Sequence, residues 1–372
     1  MKKKIGIITL CGYHNYGNRL QNYALQSVLE KLGFTVWTIK NITVQKKSSL
    51  IERIARNRGN LLNLFVAKYQ NRKIKKLKNE RTQRFVQFSK QYINETDYTI
   101  SELSIPDDLS ENFDFFVTGS DQVWNPNLNR GSFVEFLQFA PSEKRVSYSA
   151  SFGVSKIPEH VKADFRERIN QMAYISVREE AGAKIVNELT ERDAEVLVDP
   201  TMLLNKEEWF SIAMTPTFKP KSNYLLTYFL GDGSNEYREW INHISKTFDL
   251  EVINLLNPNA KDAYLTDPGE FIDLINDAAL VCTDSFHGSV FSILMNTNFM
   301  VFDRIEKKEA TMGSRIDTLL KMFGLNARKW HKNIKDDEVF NTSFSHVDEI
   351  LSIERNKAMN YLKKALQLHG TN

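Results

Sequence analysis

The apolar run Ala279-Leu280-Val281-Cys282 breaks into Thr283-Asp284-Ser285-Phe286-His287-Gly288-Ser289 and resumes at helical spacing with Val290, Phe291 and Ile293. The pattern reads as strand, tight turn and helix. Behind a parallel strand, such a turn leaves N–H groups at the helix N-terminus unpaired, and they suit an anion. His287 stands there either as a cation for that anion or as an acid/base; the positive end of the helix dipole favours the neutral ring and hence the base. Ser285, Gly288 and Ser289 are candidate anion contacts by side chain or backbone. Asp284 reads equally as a helix N-cap or as a catalytic carboxylate beside the anion.

A second polar turn, Gly119-Ser120-Asp121-Gln122, follows the apolar run Phe113 to Thr118 and faces the same cleft in this reading. Asp121 is placed to accept a proton from a ligand hydroxyl, or to hold the loop as an Asx turn. Trp124 offers a ring for stacking on a ligand ring, with core packing as the competing role. Asn15, Gly17 and Asn18 occupy the first strand-to-helix turn, where an acceptor would bind or simple turn chemistry would suffice. Metal and covalent readings lack their patterns. Cys11 and Cys282 are not at zinc-site spacing, the seven histidines are scattered, and no Gly-x-Ser-x-Gly elbow occurs. Gly231-Asp232-Gly233-Ser234 is a weaker candidate for phosphate.

The elements that must position these residues alternate between strand-like runs and helical patterns, the signature of parallel α/β architecture. Lys4 to Leu10 and Phe34 to Lys40 flank a helix over Asn18 to Leu32 that ends at Gly33. Further strands are expected at Phe113–Thr118, Arg145–Ala150, Tyr174–Arg178 and Glu195–Val198. After Asp199-Pro200-Thr201 and the connection holding Pro216 and Pro220, a second series follows at Tyr224–Phe229, Glu251–Leu255, Ala279–Cys282 and Phe299–Phe302. Val347 to Leu368 is a closing amphipathic helix. The expected fold is therefore two doubly wound Rossmann-like domains facing a cleft, the GT-B arrangement. Its parts are residues 1–201 on the acceptor side, 202–345 on the donor and anion side, and a helix in 346–372 packing back on the first domain.

A chain of 372 residues with 42% hydrophobic and 11% aromatic content supplies cores for two such domains. The formal charge of +3 is too small to indicate a nucleic-acid partner. Both cysteines follow apolar runs, which suits reduced thiols, and Ile5 to Leu10 is too short for a signal-peptide core. A cytoplasmic location is expected. A basic helical insertion at about 43–95 departs from the alternation: Lys46 to Arg84 carries thirteen Lys/Arg against two Glu around the apolar Leu61, Leu62, Leu64, Phe65, Val66 and Tyr69. It reads as a solvated helix packed on its own domain, or as a face for an anionic membrane at the inner side of the cell.

Five stretches resemble polysaccharide pyruvyl transferases in kind and in order. They are Tyr13-His14-Asn15-Tyr16-Gly17-Asn18, Val117-Thr118-Gly119-Ser120-Asp121-Gln122-Val123-Trp124-Asn125, Ser149-Ala150-Ser151-Phe152-Gly153, Ser176-Val177-Arg178-Glu179 and Thr283-Asp284-Ser285-Phe286-His287-Gly288. The resemblance implies a GT-B-like enzyme that takes the enolpyruvyl unit of phosphoenolpyruvate, forms a pyruvate ketal on a sugar, and serves capsule, exopolysaccharide or other cell-surface glycan synthesis. It implies phosphoenolpyruvate as co-substrate and a sugar acceptor, lipid-linked or nucleotide-activated. Many family members carry an arginine immediately before the His-Gly pair, where this chain has Phe286. The anion must then find its charge elsewhere, with Arg178 at a strand's carboxyl end as first candidate and Arg304 and Arg315 as reserves.

The reactants themselves set the demands. Phosphoenolpyruvate carries a carboxylate and a phosphate, so its site needs cations and oriented N–H groups for both. Protonation of its methylene opens C2 to a hydroxyl, and a second hydroxyl then displaces phosphate. An acid, a base and stabilisation of the leaving phosphate are required, and no metal or other cofactor. A glycosyltransferase using a nucleotide-sugar and a non-catalytic glycan-binding protein are the alternatives.

Overall fold

The computed structural model describes residues 2–42, 61–128, 131–304 and 314–368. The first strand, β1 (Lys4–Ile8), is buried from Ile5 onward because parallel neighbours flank it on both sides. Helix α1 (Tyr16–Lys31) follows, capped by Asn15, whose side-chain oxygen accepts the Asn18 N–H at 3.3 Å. Gly33, at φ +96°, turns the chain into β2 (Thr35–Asn41). A long helix α2 (Leu61–Tyr92) then crosses to β3 (Glu95–Ile100), and β4 (Phe115–Thr118) and β5 (Arg145–Ser147) complete a parallel sheet of order β3-β2-β1-β4-β5. The chain next forms α3 (Lys162–Asn170), β6 (Ser176–Val177), α4 (Glu180–Thr190) and β7 (Glu195–Val196). Single bridges, Val146 to Tyr174 and Ala150 to Val177, tie β6 to the first sheet.

After α5 (Lys206–Phe210), the second sheet is built from β8 (Tyr224–Tyr228), α6 (Asn235–Thr247), β9 (Glu251–Asn254), α7 (Lys261–Tyr264), α8 (Pro268–Asp277), β10 (Leu280–Thr283), α9 (Phe286–Met295) and β11 (Phe299–Val301). Its order is β11-β10-β8-β9, all parallel. Helices α10 (Ser314–Met322) and α11 (Val347–Ala365) close the chain. In each sheet the order reverses beside its first strand: between β1 and β4, and between β8 and β10. Crevices for ligands open at the carboxyl ends of strands at such reversals, and the loops emerging there carry the motifs of residues 11–18, 119–125 and 284–289.

Helix α11 lies against the first sheet. Tyr361 donates to the Ser147 carbonyl at 2.7 Å, and Arg355 donates to the carbonyls of Met202 and Leu204, each at 2.8 Å. The basic segment differs from an insertion packed on its own domain. Its described part is the crossover between β2 and β3, with Phe85 and Phe88 in the core. It also reaches the second half: Arg81 stacks on Tyr16, Phe85 and Tyr264 at about 5 Å, and Arg84 pairs with Glu270 at 2.8 Å and Asp267 at 3.3 Å. Residues 46–60 and the apolar side chains of Leu61 to Tyr69 lie outside what is described. Strand β3 has no apolar run because, at a sheet edge, only Thr96 and Ile100 turn inward. Strand β5 stops short of Ala150 because Ser149 takes φ +48°. Among the described residues, no helix is long and apolar enough to cross a membrane.

Candidate active site

Helix α9 begins at Ser285, whose hydroxyl oxygen accepts the Gly288 N–H at 3.3 Å. A side chain at Gly288 would collide with Thr283, its Cβ 2.6 Å from Oγ1, so glycine lets the helix settle on its own strand. His287, in the first turn, is only 5% exposed, and its Nε2 has no hydrogen-bond partner. The ring is seated across the molecule by α1: a Cβ at Gly17 would fall 2.0 Å from His287 Nδ1. Glycine at 17 is therefore what allows the two halves to meet at this imidazole.

Beyond Nε2 lies Asp199, with Oδ2 at 3.5 Å. That carboxylate is fully enclosed. Its Oδ2 accepts from Arg178 at 2.8 Å and Ser120 Oγ at 2.9 Å, and its Oδ1 accepts the Thr201 N–H and hydroxyl at 3.1 and 2.7 Å. Burial alone would raise its pKa, but His287 and Arg178 outweigh burial and hold it well below the ordinary carboxylate range. Asp199 was legible in the sequence only as part of a connection. The signal for its role is its place directly after a strand, the edge where such sheets bind ligands.

Arg178 has its guanidinium carbon 4.2 Å from the centroid of the Phe286 ring and a second nitrogen 3.3 Å from Asp121 Oδ1. Burial works against its charge, yet Asp121, Asp199 and Glu179 together raise its pKa. Each of its terminal nitrogens thus already donates to a carboxylate. Asp121, at φ +67°, also accepts the Gln122 N–H at 2.9 Å, so turn and ion pair occupy the same oxygen. Glu179 was not foreseen either. Its Oε1 gathers the Ser151 hydroxyl at 3.0 Å and the N–H groups of Phe152 at 2.9 Å and Gly153 at 3.3 Å, which shapes the loop beside the site.

Other expectations are redistributed. Ser285, not Asp284, caps α9. Asp284 accepts the N–H groups of Leu230 and Gly231 at 2.7 and 2.8 Å and Arg304 Nε at 3.1 Å, so it pins the start of the Gly231–Ser234 turn. Arg304 is committed there as well, donating in addition to the Asp284 carbonyl at 3.2 Å. Ser289 donates to the Ser285 carbonyl within the helix and is fully buried. Trp124 cannot stack on a sugar, because it is fully buried with Phe136 parallel to it at 4.7 Å. Gly119 is pressed against the Tyr148 carbonyl, Ser120 is fully buried, and Gln122 lies beside them half-buried at the edge of the turn. Of the first-turn set, Gly17 touches His287, Asn15 caps α1, and Asn18 is buried in its first turn. Arg315, from α10, is 6% exposed, and it lines a narrow slot with Arg178, Asp199 and Phe286.

The fold is shared with solved sugar-nucleotide enzymes of GT-B type. The chain is similar to a putative UDP-N-acetylglucosamine 2-epimerase from Listeria monocytogenes, with 13% identity and a TM-score of 0.50, over 100% of this chain and 98% of that one. It is similar at 12% identity and TM-score 0.50 to MnaA from S. aureus, solved with UDP, over 99% and 98% of the two chains. No curated protein matches it in sequence. The family model for polysaccharide pyruvyl transferase matches residues 15–305, from the Asn15 cap of α1 to just beyond β11, and the chain belongs to that family.

Proposed function

We propose that this protein transfers the enolpyruvyl unit of phosphoenolpyruvate to two hydroxyls of one sugar in the synthesis of a cell-surface polysaccharide. The observation that carries this reading is His287: a buried imidazole at a helix N-terminus, with its Nε2 facing the charged Asp199 carboxylate at 3.5 Å and making no hydrogen bond. Such a ring can take a proton from a hydroxyl and return it. In the reaction, a proton adds to the methylene carbon, the first hydroxyl oxygen bonds to C2, and its proton is released to the base. The C2–O bond to phosphate then breaks, the second hydroxyl oxygen bonds to C2, and its proton leaves with the phosphate. Asp199 and Arg178 hold the imidazole's surroundings fixed. The N–H groups of Phe286 and His287 at the start of α9 are the ones available to the anion, since the Gly288 N–H is taken by the Ser285 cap.

The setting we propose is the inner face of a membrane that carries a lipid-linked acceptor. Its support is the row of exposed cations Arg72, Lys73, Lys75, Lys76 and Lys78 on α2. The test is incubation with phosphoenolpyruvate and candidate glycan acceptors, following phosphate release and the mass of the product. One phosphate per ketal is expected, with His287→Ala slower by ~10²–10⁴-fold. Turnover of a nucleotide-sugar with phosphoenolpyruvate inert would overturn the reading in favour of glycosyl transfer. Inertness toward every donor, with glycan still bound, would favour a binding protein.

A further inference from the structure

Three arginines named for the anion differ in what they already hold. Arg178 is paired with Asp199 and Asp121, and Arg304 is committed to Asp284. Arg315 differs. Among the described residues no carboxylate lies within ion-pair distance of it, and its buried Nε has no hydrogen-bond partner. A guanidinium taken out of water without a partner is costly, and it is retained where a ligand supplies the missing charge. Burial, and then the nearby charge of Arg178, push the Arg315 pKa down to about 10, with Asp121 and Glu179 only partly opposing.

We infer that Arg315 is the anion anchor of this site, taking one oxygen of a carboxylate or phosphate on the donor. The slot it lines measures about 10 Å³ and is bounded by Phe286, Asp199, Val198 and Met322 as well as by Arg178. That is room for one oxygen-sized atom. Phe286 makes the arrangement possible. An aromatic ring at that position takes Arg178 on its face at 4.2 Å and adds no charge of its own, so the cation comes from α10. The inference rests on the donor reading above only for the identity of the ligand, because the oxyanion chemistry belongs to the slot itself.

The test measures binding of inorganic phosphate, pyruvate and phosphoenolpyruvate by calorimetry to the wild type, Arg315→Gln and Arg315→Lys, alongside the ligand-free melting midpoint. Arg315→Gln is expected to weaken binding by at least ~10-fold, the size of a lost charged hydrogen bond. Its midpoint should be unchanged or higher, since an uncompensated cation has been removed. Arg315→Lys should retain part of the affinity. Phosphate against pyruvate identifies which oxyanion the slot takes. Unchanged affinity in Arg315→Gln, a wild type that binds none of the three, or a lowered midpoint or failure to fold would each overturn the inference. Arg315-dependent phosphate binding without ketal formation would sink the donor reading and leave the anchor standing. Full ketal formation by Arg315→Gln would do the reverse.

Discussion

At the scale of single residues, the site is organised around one charged carboxylate. Asp199 stays ionised in an enclosed setting because Arg178 donates to it directly and His287 faces it. Since its folded pKa is depressed, its stabilisation is fully present above the unfolded value of about 3.9 and is lost as pH falls below that toward the folded value. Asp199→Asn should cost about 3–5 kcal/mol near neutral pH, because it leaves Arg178 buried with Asp121 alone. The gap to the wild type should narrow below about pH 4. Urea unfolding of both proteins at pH 7 and pH 3 measures this; a gap that does not change with pH would count against the ion pair as its source.

At the scale of elements, two helices from different sheets set the geometry. The N-terminus of α1 meets the N-terminus of α9 through Gly17 and the His287 ring, with no space for a methyl group between them. Gly17→Ala must push the ring or the helix aside. The expected result is overpacking of about 1–3 kcal/mol. A loss of turnover on the order of 10²-fold should accompany it, as expected when a reacting group moves by about 1 Å. Chemical denaturation together with kcat on phosphoenolpyruvate checks both; full activity with a stable fold would show that the ring's seat is not critical.

At the scale of the molecule, helix α2 joins the halves and presents charge to solvent. Its inner face holds Phe85 and Phe88 in the core, and Arg81 and Arg84 reach α7 and α8 of the second half. Its outer face carries Arg72, Lys73, Lys75, Lys76 and Lys78. Each cation near an anionic bilayer contributes about 1 kcal/mol. Replacing Lys73, Lys75 and Lys76 by Glu should abolish co-sedimentation with phosphatidylglycerol vesicles at low salt while leaving ketal formation on a soluble acceptor intact. Equal sedimentation of the variant would remove the membrane from the proposed setting.

Local pattern alone determined much of this protein. Strand runs followed by helical spacing, punctuated at Gly33 and at the Thr283–Ser289 turn, gave the parallel sheets and placed His287 at a helix N-terminus, because period and capping are properties of neighbouring residues. The edge strand Glu95–Ile100 escaped that reading, since only two of its residues face the core. Which charge pairs with which was decided by the tertiary structure. Asp199 looked like a linker, Arg178 like a free cation, Trp124 like a sugar platform or a core ring and Asp284 like a cap or a catalyst. Each was settled by a partner distant in the chain: His287, Asp199, Phe136 and Leu230 with Arg304. Electrostatic pairing and burial depend on distances through space, and it is the packing of α9 and α10 beside Asp199 that leaves Arg315, among the described residues, without a carboxylate in ion-pair reach.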